Sequence, residues 1–499
     1  MEEKNQRLSR STCGQGVECQ SIGSDWDEQQ GRWEVRLKRE LGPAYEQLNV
    51  EFTVSAQFLM VCSGQFHNPS IPALPGFNQF RENRKVFHTA RWDYEYTGES
   101  PTDPRLLNLK DKVVGVVGTA ASAIQAVAEL AKWTNHLYVF MRTANYVGPH
   151  YNRETVPKLW EKVTGGGKPG WQKERQENLA IFFTDDKEAE LVENLVNDER
   201  SRFTPLAGLW GSRRVNDLTP EDADKHTEWM LQRESPHTGR LREHIRKTVQ
   251  DPVTAEKLTP KYPGWCKRPN FHSSYLESFN MANVTLVDTD GQGVQEYSSK
   301  GVIVGEGAAA REYELDALVL ATGFGSADLK GCPTKAAHAW CRGRSGRELN
   351  DKWLSSDCGT LFGIATNGFP NLFIPSPCNS GINANITSVY MTQAQTAAHI
   401  LAAGTARSVD ADRTVVEVTK EAEDAWVEKN MRLATWYKPL LTTCPRTYFT
   451  GYSRDNQIQD PKEMALKLRK IFYGGGPVEY DHTLRDWIKD GNLEGVFVR

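Results

Sequence analysis

The residues with the plainest chemical purpose lie between Lys112 and Thr143. There an apolar run, KVVGVVG, ends at Gly118 and is followed by Thr119, Ala120 and, three residues on, Ala123. A chain turning from strand to helix over a dinucleotide needs no side chain at its first position. The second must let pyrophosphate near the backbone, and the third must be small where helix meets strand. Gly118, Ala120 and Ala123 stand at those positions, and the methyl group of Ala120 narrows the approach at the second. The next apolar run, HLYVFM, ends in Arg142-Thr143 with no acid beside them. An NAD site puts a carboxylate there for the ribose 2′-hydroxyl, whereas guanidinium and hydroxyl suit a 2′-phosphate. The residues point to NADPH; a solvated arginine at a strand end is the plain structural alternative.

Such a site needs a strand–turn–helix–strand frame, and residues 111–142 carry one. The helix TAASAIQAVAELAKW sets Ala120, Ala123, Ile124, Val127 and Leu130 on one face, a small apolar stripe that can lie close on a sheet. The fold class is therefore α/β. Further strand-like runs cover Arg32–Leu37, Ala56–Ser63, Val284–Asp288, Gly301–Val304, Glu314–Ala321 and Asn371–Pro375, and a helix is predicted over Ile386–Ala403. A loop rich in Pro and Gly spans Gly64–Phe77. Residues 150–262 are highly charged and show helical patterning in EAELVENLVNDER and GRLREHIRKTVQ; they read as a helical insertion, not a module of their own. The first 25 residues are polar and unpatterned, and are expected to pack poorly. Two apolar runs end in glycine turns, LMVCSG at Gly64 and LVLATGF with Thr322 and Gly323. Such returns occur where chain passes between the two dinucleotide domains of flavin disulfide-reductase-like enzymes, although for each alone a core strand with a turn is the favoured reading.

Bulk composition narrows the classes. At roughly 150 residues per domain, 499 residues suggest about three domains. Hydrophobic residues make up 39% and charged residues 25%, the balance of a globular chain rather than a disordered one. With 60 basic and 64 acidic residues the net charge is -4, so no polyanion-binding field and no nucleic-acid partner is implied. No run approaches the ~20 apolar residues that span a bilayer, and the N-terminus lacks a signal-peptide core. The nine cysteines are scattered and form no CxxC pattern, so reduced thiols in a cytoplasmic protein are expected, with neither zinc nor disulfides.

Beyond the nucleotide turn the chain resembles the flavin-dependent Baeyer–Villiger monooxygenases, whose fingerprint is FxGxxxHxxxW followed by Pro or Asp. HTARWD (His88 to Asp93) precedes the GTAASA turn, and the likeness continues through VFMRTANYVGP, CKRPNFHSSYLESFNMANVTLVDTDGQGV, DALVLATGF, GFPNLFIPSP and the C-terminal YGGGPVEYDHTLRDWIKDGNLEGVFV. Likeness is greatest to fungal members of polyketide pathways. The resemblance implies a two-dinucleotide-binding-domain flavoprotein with FAD and NADPH as cofactors. It also implies a hydrophobic ketone and O2 as substrates, and an ester or lactone as product. His88, Trp92 and Asp93 match the fingerprint, whose His and Trp link domain motions rather than touch substrate. Lys267 matches a lysine that reaches the 2′-phosphate with Arg142 and Thr143, and Arg268 matches the essential arginine beside the flavin. A guanidinium suits that place because it keeps its proton at working pH and stabilises anionic oxygen. Without the resemblance, Lys267-Arg268-Pro269 reads as a basic surface turn.

Several residues depart from the family pattern. Glu82 and Arg84 stand where the fingerprint has Phe and Gly, and CPRTYFTGY (Cys444 to Tyr452) varies the segment that lines the family's active site. The family's first FAD-binding GxGxxG unit has no counterpart here, which suggests that roughly 150 N-terminal residues, one domain's worth, are missing. The implied domains are residues 1–87 as a residual part of the FAD domain, 88–325 as the NADPH domain with its insertion, and 326–499 as the C-terminal part of the FAD domain. Alternatives are a flavin-less pseudoenzyme that binds NADPH or a partner, and oxygenation of N or S rather than of ketones.

Overall fold

The computed structural model describes residues 19–40, 49–64, 66, 68–100, 102–152, 154–203, 210–325, 331–445, 447 and 460–499. The chain divides into two units: Phe66–Asp328 with Thr435–Gln457, and Met1–Gln65 with Leu329–Ala434 and Ile458–Arg499.

The first of these is built on a five-stranded sheet. Its strands are β1 (Lys85–His88), β2 (Val113–Val117), β3 (His136–Met141), β4 (Val284–Asp288) and β5 (Ala317–Leu320). Their order is β4-β3-β2-β5-β1 and every pairing is parallel. A parallel sheet is covered on both faces, so its strands are near-continuous apolar runs rather than alternations. Val114, Val116, Leu137, Val139, Leu318 and Val319 are accordingly buried. Helix α1 (Ala121–Trp133) joins β2 to β3 and buries Ala123, Ile124, Val127, Leu130 and Ala131. Ala120 departs from the expected stripe: it is the exposed N-cap residue, with extended backbone.

The insertion is helical over Pro157–Thr164, Trp171–Phe183, α2 (Ala223–Thr248) and Pro252–Lys257. GRLREHIRKTVQ supplies the end of α2. EAELVENLVNDER, however, forms only a 3-10 turn at Lys187–Glu190 followed by irregular chain. Side chains there take the backbone groups a helix would need. Asn178 donates from Nδ2 to the Glu193 carbonyl and accepts from the Leu195 N–H, while the Asn197 N–H donates to Asn194 and the Ser201 N–H to Asp198.

The other unit contains a four-stranded sheet ordered Trp340–Arg342, Cys19–Asp27, Arg32–Glu40, Asn49–Ala56. The expectation that the first 25 residues pack poorly is corrected from Cys19 onward, where a strand begins; residues 1–18 lie outside the described residues. Cys19–Asp27 pairs antiparallel with Arg32–Glu40, and Trp26 and Trp33 pack tilted at 5.5 Å between centroids. Ala56–Ser63, expected as one strand, is divided: Ala56 ends the strand Asn49–Ala56 opposite Trp33, and Leu59–Met60 pairs parallel to Leu372–Phe373. Ile386–Arg407 is a helix, as its pattern predicted. A fully buried Lys352 holds Glu423 at 2.8 Å, and Thr366 Oγ1 and the Asn367 N–H donate to the same carboxylate. No helix among the described residues is long and apolar enough to cross a membrane.

Candidate functional site

The dinucleotide turn is built around Gly118. Its φ is +116°, and a Cβ there would lie 2.6 Å from the Ala321 carbonyl oxygen, so both backbone and space demand glycine. Its N–H donates to the Phe140 carbonyl at 3.0 Å. Thr119 is buried and donates from Oγ1 to the Thr143 carbonyl at 2.8 Å. That bond fastens the turn to the strand end carrying Arg142 and Thr143. Ala120 caps α1 without a side-chain acceptor, leaving the first N–H groups of the helix open to an anion. Ala123 is fully buried where the helix meets the sheet, the role expected of the third small residue.

Arg142 and Thr143 are exposed at the end of β3, and Lys267, from far along the chain, comes near enough for its charge to interact with that of Arg142. Burial, and then the charge of Arg142, push the Lys267 ammonium down to about 8. The ammonium lies 4.9 Å from the centre of the Tyr262 ring, a cation–π contact. Among the described residues no carboxylate pairs with either cation. Two cations converging beside a dinucleotide turn, with an aromatic face but no counter-ion, fit a 2′-phosphate and disfavour a bare ribose hydroxyl.

The chain leading to Lys267 is fixed at several points. Tyr262 donates from its hydroxyl to the Ala144 carbonyl at 2.9 Å, and the Gly264 N–H donates to buried Glu234 at 3.0 Å. Cys266 is disulfide-bonded to Cys444, which overturns the expectation of reduced thiols throughout. The two cysteines are 178 residues apart, so neither spacing nor motif could pair them. Only Cys444, Pro445 and Thr447 of the segment Cys444–Tyr452 fall within the described residues. Arg268 is exposed; its carbonyl accepts from Asn270 Nδ2 at 3.3 Å, and its guanidinium pairs with no carboxylate among the described residues.

The remaining predicted residues fall elsewhere. His88, at the end of β1, is buried; its Nδ1 accepts the Ala90 N–H at 3.1 Å, and burial holds the imidazole below its ordinary value. Trp92 packs edge-on against Phe87, and Asp93 caps the helix Tyr94–Thr97 and pairs with Lys85 at 2.5 Å. These contacts are internal to the unit. Thr322 donates to the Ser70 carbonyl and the Gly323 carbonyl accepts the Ser70 N–H at 2.8 Å. Gly64 belongs to the other unit, with a φ of +73° and open space where a Cβ would stand. The structure thus brings Gly118, Thr119, Ala120, Ala123, Arg142, Thr143 and Lys267 together within one unit, and Gly64 belongs to the other.

No family model matches the chain. It is 38% identical over 474 residues to the polycyclic ketone monooxygenase of Thermothelomyces thermophilus, covering 94% of this chain and 70% of that protein. It is 34% identical to the FAD-binding monooxygenase ausB of Penicillium brasilianum, covering 95% and 71%. Among solved structures, the polycyclic ketone monooxygenase superposes with a TM-score of 0.89 at 36% identity, over 96% of this chain and 73% of that one. Closed cyclohexanone monooxygenase, at 22% identity, shares the fold with a TM-score of 0.67, over 96% and 80%.

Proposed function

The chain belongs to the flavin-dependent Baeyer–Villiger monooxygenase family, and from that premise we propose that it oxidises a polycyclic ketone to an ester or lactone with NADPH, FAD and O2. One oxygen atom enters between the carbonyl carbon and a neighbouring carbon; the other leaves as water, with NADPH supplying the hydride and solvent the proton. The observation that carries the reading is the pair of unneutralised cations, Arg142 and Lys267, beside the Gly118 turn.

The residues of that unit divide the work. Backbone N–H groups at the start of α1 take the pyrophosphate, the glycine at 118 lets it approach, and Thr119 keeps the turn in register with β3. Arg142 and Lys267 take the 2′-phosphate and so select NADPH over NADH. Arg268, carried by the same turn as Lys267, offers a permanently charged guanidinium to negative charge developing on oxygen at the ketone carbonyl. When bound, FAD supplies the hydride acceptor and the O2-activating ring. Among the described residues the only strand–glycine–helix turn is that at Gly118, so no residue is assigned to the flavin pyrophosphate.

The direct test is anaerobic. Protein loaded with FAD should bleach in the visible on adding NADPH, and far more slowly with NADH. Protein that takes up no FAD, or is reduced equally by both nucleotides, would refute the proposal.

A further inference from the structure

The Lys267 ammonium is not held by its own neighbours in sequence. It rests against Tyr262, and Tyr262 is held by α2 of the insertion. Arg242 on α2 donates from Nε to the Pro260 carbonyl at 3.0 Å and from a terminal nitrogen to the Tyr146 hydroxyl at 2.6 Å. The Tyr146 hydroxyl in turn donates to the Tyr262 carbonyl at 2.6 Å, and the two rings meet edge to face at 5.5 Å. Tyr146 is fully buried and follows Arg142 by four positions, on the chain leaving β3. A single guanidinium therefore fastens two stretches of backbone: the one that carries Arg142 and the one that carries Lys267.

We propose that Arg242 is a positioning residue for the 2′-phosphate site: from the inserted helix it fixes Tyr146 and Tyr262, and through them the separation of Lys267 from Arg142. This rests on the reading of Arg142 and Lys267 as phosphate ligands. It gives the insertion a task, since the helix becomes part of the device that discriminates between nucleotides. Arginine suits the place because its planar fork serves two acceptors at once, which a lysine ammonium on a flexible stem does less well. Arg242 touches no nucleotide in this scheme; it acts on spacing alone.

The test is equilibrium binding of NADP+ and NAD+ to the full chain, measured by calorimetry for wild type, Lys267→Met, Arg242→Met, Arg242→Lys and Tyr146→Phe. Lys267→Met should collapse the preference for NADP+. Arg242→Met should lower the ratio of NADP+ to NAD+ affinity by roughly tenfold, the scale of one charge-assisted hydrogen bond. NAD+ binding should be retained, which also reports that the nucleotide fold is intact. Arg242→Lys should recover part of the ratio. Tyr146→Phe, which keeps the ring and removes one relay, should lower the ratio in the same direction. If Lys267→Met leaves the ratio unchanged, the phosphate-site reading fails. If Lys267→Met collapses it while both Arg242→Met and Tyr146→Phe preserve it, the positioning role fails and the reading stands. Loss of NAD+ and NADP+ affinity in equal measure in both variants would mean general support of the fold and would equally overturn the proposal.

Discussion

Lys267 gives the account its sharpest pH dependence. Its ammonium is held at about 8, against an ordinary 10.5, by burial and by Arg142. At about 1.36 kcal/mol per unit, this difference of about 2.5 units is about 3 kcal/mol against the charged form. Below about pH 8 the lysine is protonated in both the folded and the unfolded chain, and the fold carries the whole penalty. Between about 8 and 10.5 the unfolded chain holds a proton that the fold has released, so this contribution to stability rises with pH. A bound 2′-phosphate reverses the sense, because an anion beside the ammonium favours its charged form. NADP+ binding should therefore take up a proton above about pH 8, and its affinity should fall by about tenfold for each further pH unit if only the charged lysine serves. NAD+ has no such group and should show neither effect. Calorimetry in buffers of different ionisation enthalpy measures the proton uptake directly. A flat NADP+ profile from pH 7 to pH 9.5, or the same slope for NAD+, would refute the assignment of Lys267.

Three further expectations follow from particular contacts. Arg142→Leu should weaken NADP+ by about 1.5–3 kcal/mol, the scale of a charge-assisted hydrogen bond, and leave NAD+ within a factor of about three; equal losses would remove the 2′-phosphate role. Reducing the Cys266–Cys444 bond, or replacing Cys444 by Ser, should destabilise the unit by about 2–4 kcal/mol, because the bond closes a long loop; an unchanged denaturant midpoint would contradict this. Lys352→Met should cost about 3–5 kcal/mol by leaving buried Glu423 without its main counter-charge. A change below about 1 kcal/mol would show that Lys420, 3.6 Å from the same carboxylate, neutralises it alone.

The nucleotide frame was legible because its determinants are local. KVVGVVG must be a doubly covered strand, Gly118 must turn, and Ala123 must be small, all within one short stretch of chain. Arg142 was legible for the same reason. Lys267 was not: nothing in CKRP tells that Tyr262 and Arg142 will surround it, and only family resemblance drew attention to it. The Cys266–Cys444 bond is a product of tertiary folding, and scattered cysteines hide it. The misread helix at 188–200 has the opposite cause. Its apolar spacing was genuine, yet Asn178, Asn194, Asp198 and Ser201 compete for the backbone groups, and such competition leaves no periodic trace. The early strand at Cys19 was missed because its support lies in partners, Arg32–Glu40 and Trp340–Arg342, rather than in its own pattern.

Oxygen insertion beside a ketone carbonyl is tested by following the oxygen itself. FAD-loaded protein, NADPH, a polycyclic ketone and isotopically labelled O2 should yield an ester or lactone that carries one labelled atom in the ring or chain. Arg268→Ala should bind NADP+ normally and form none of that product. NADPH consumption without labelled ester, or undiminished ester formation by Arg268→Ala, would contradict the account.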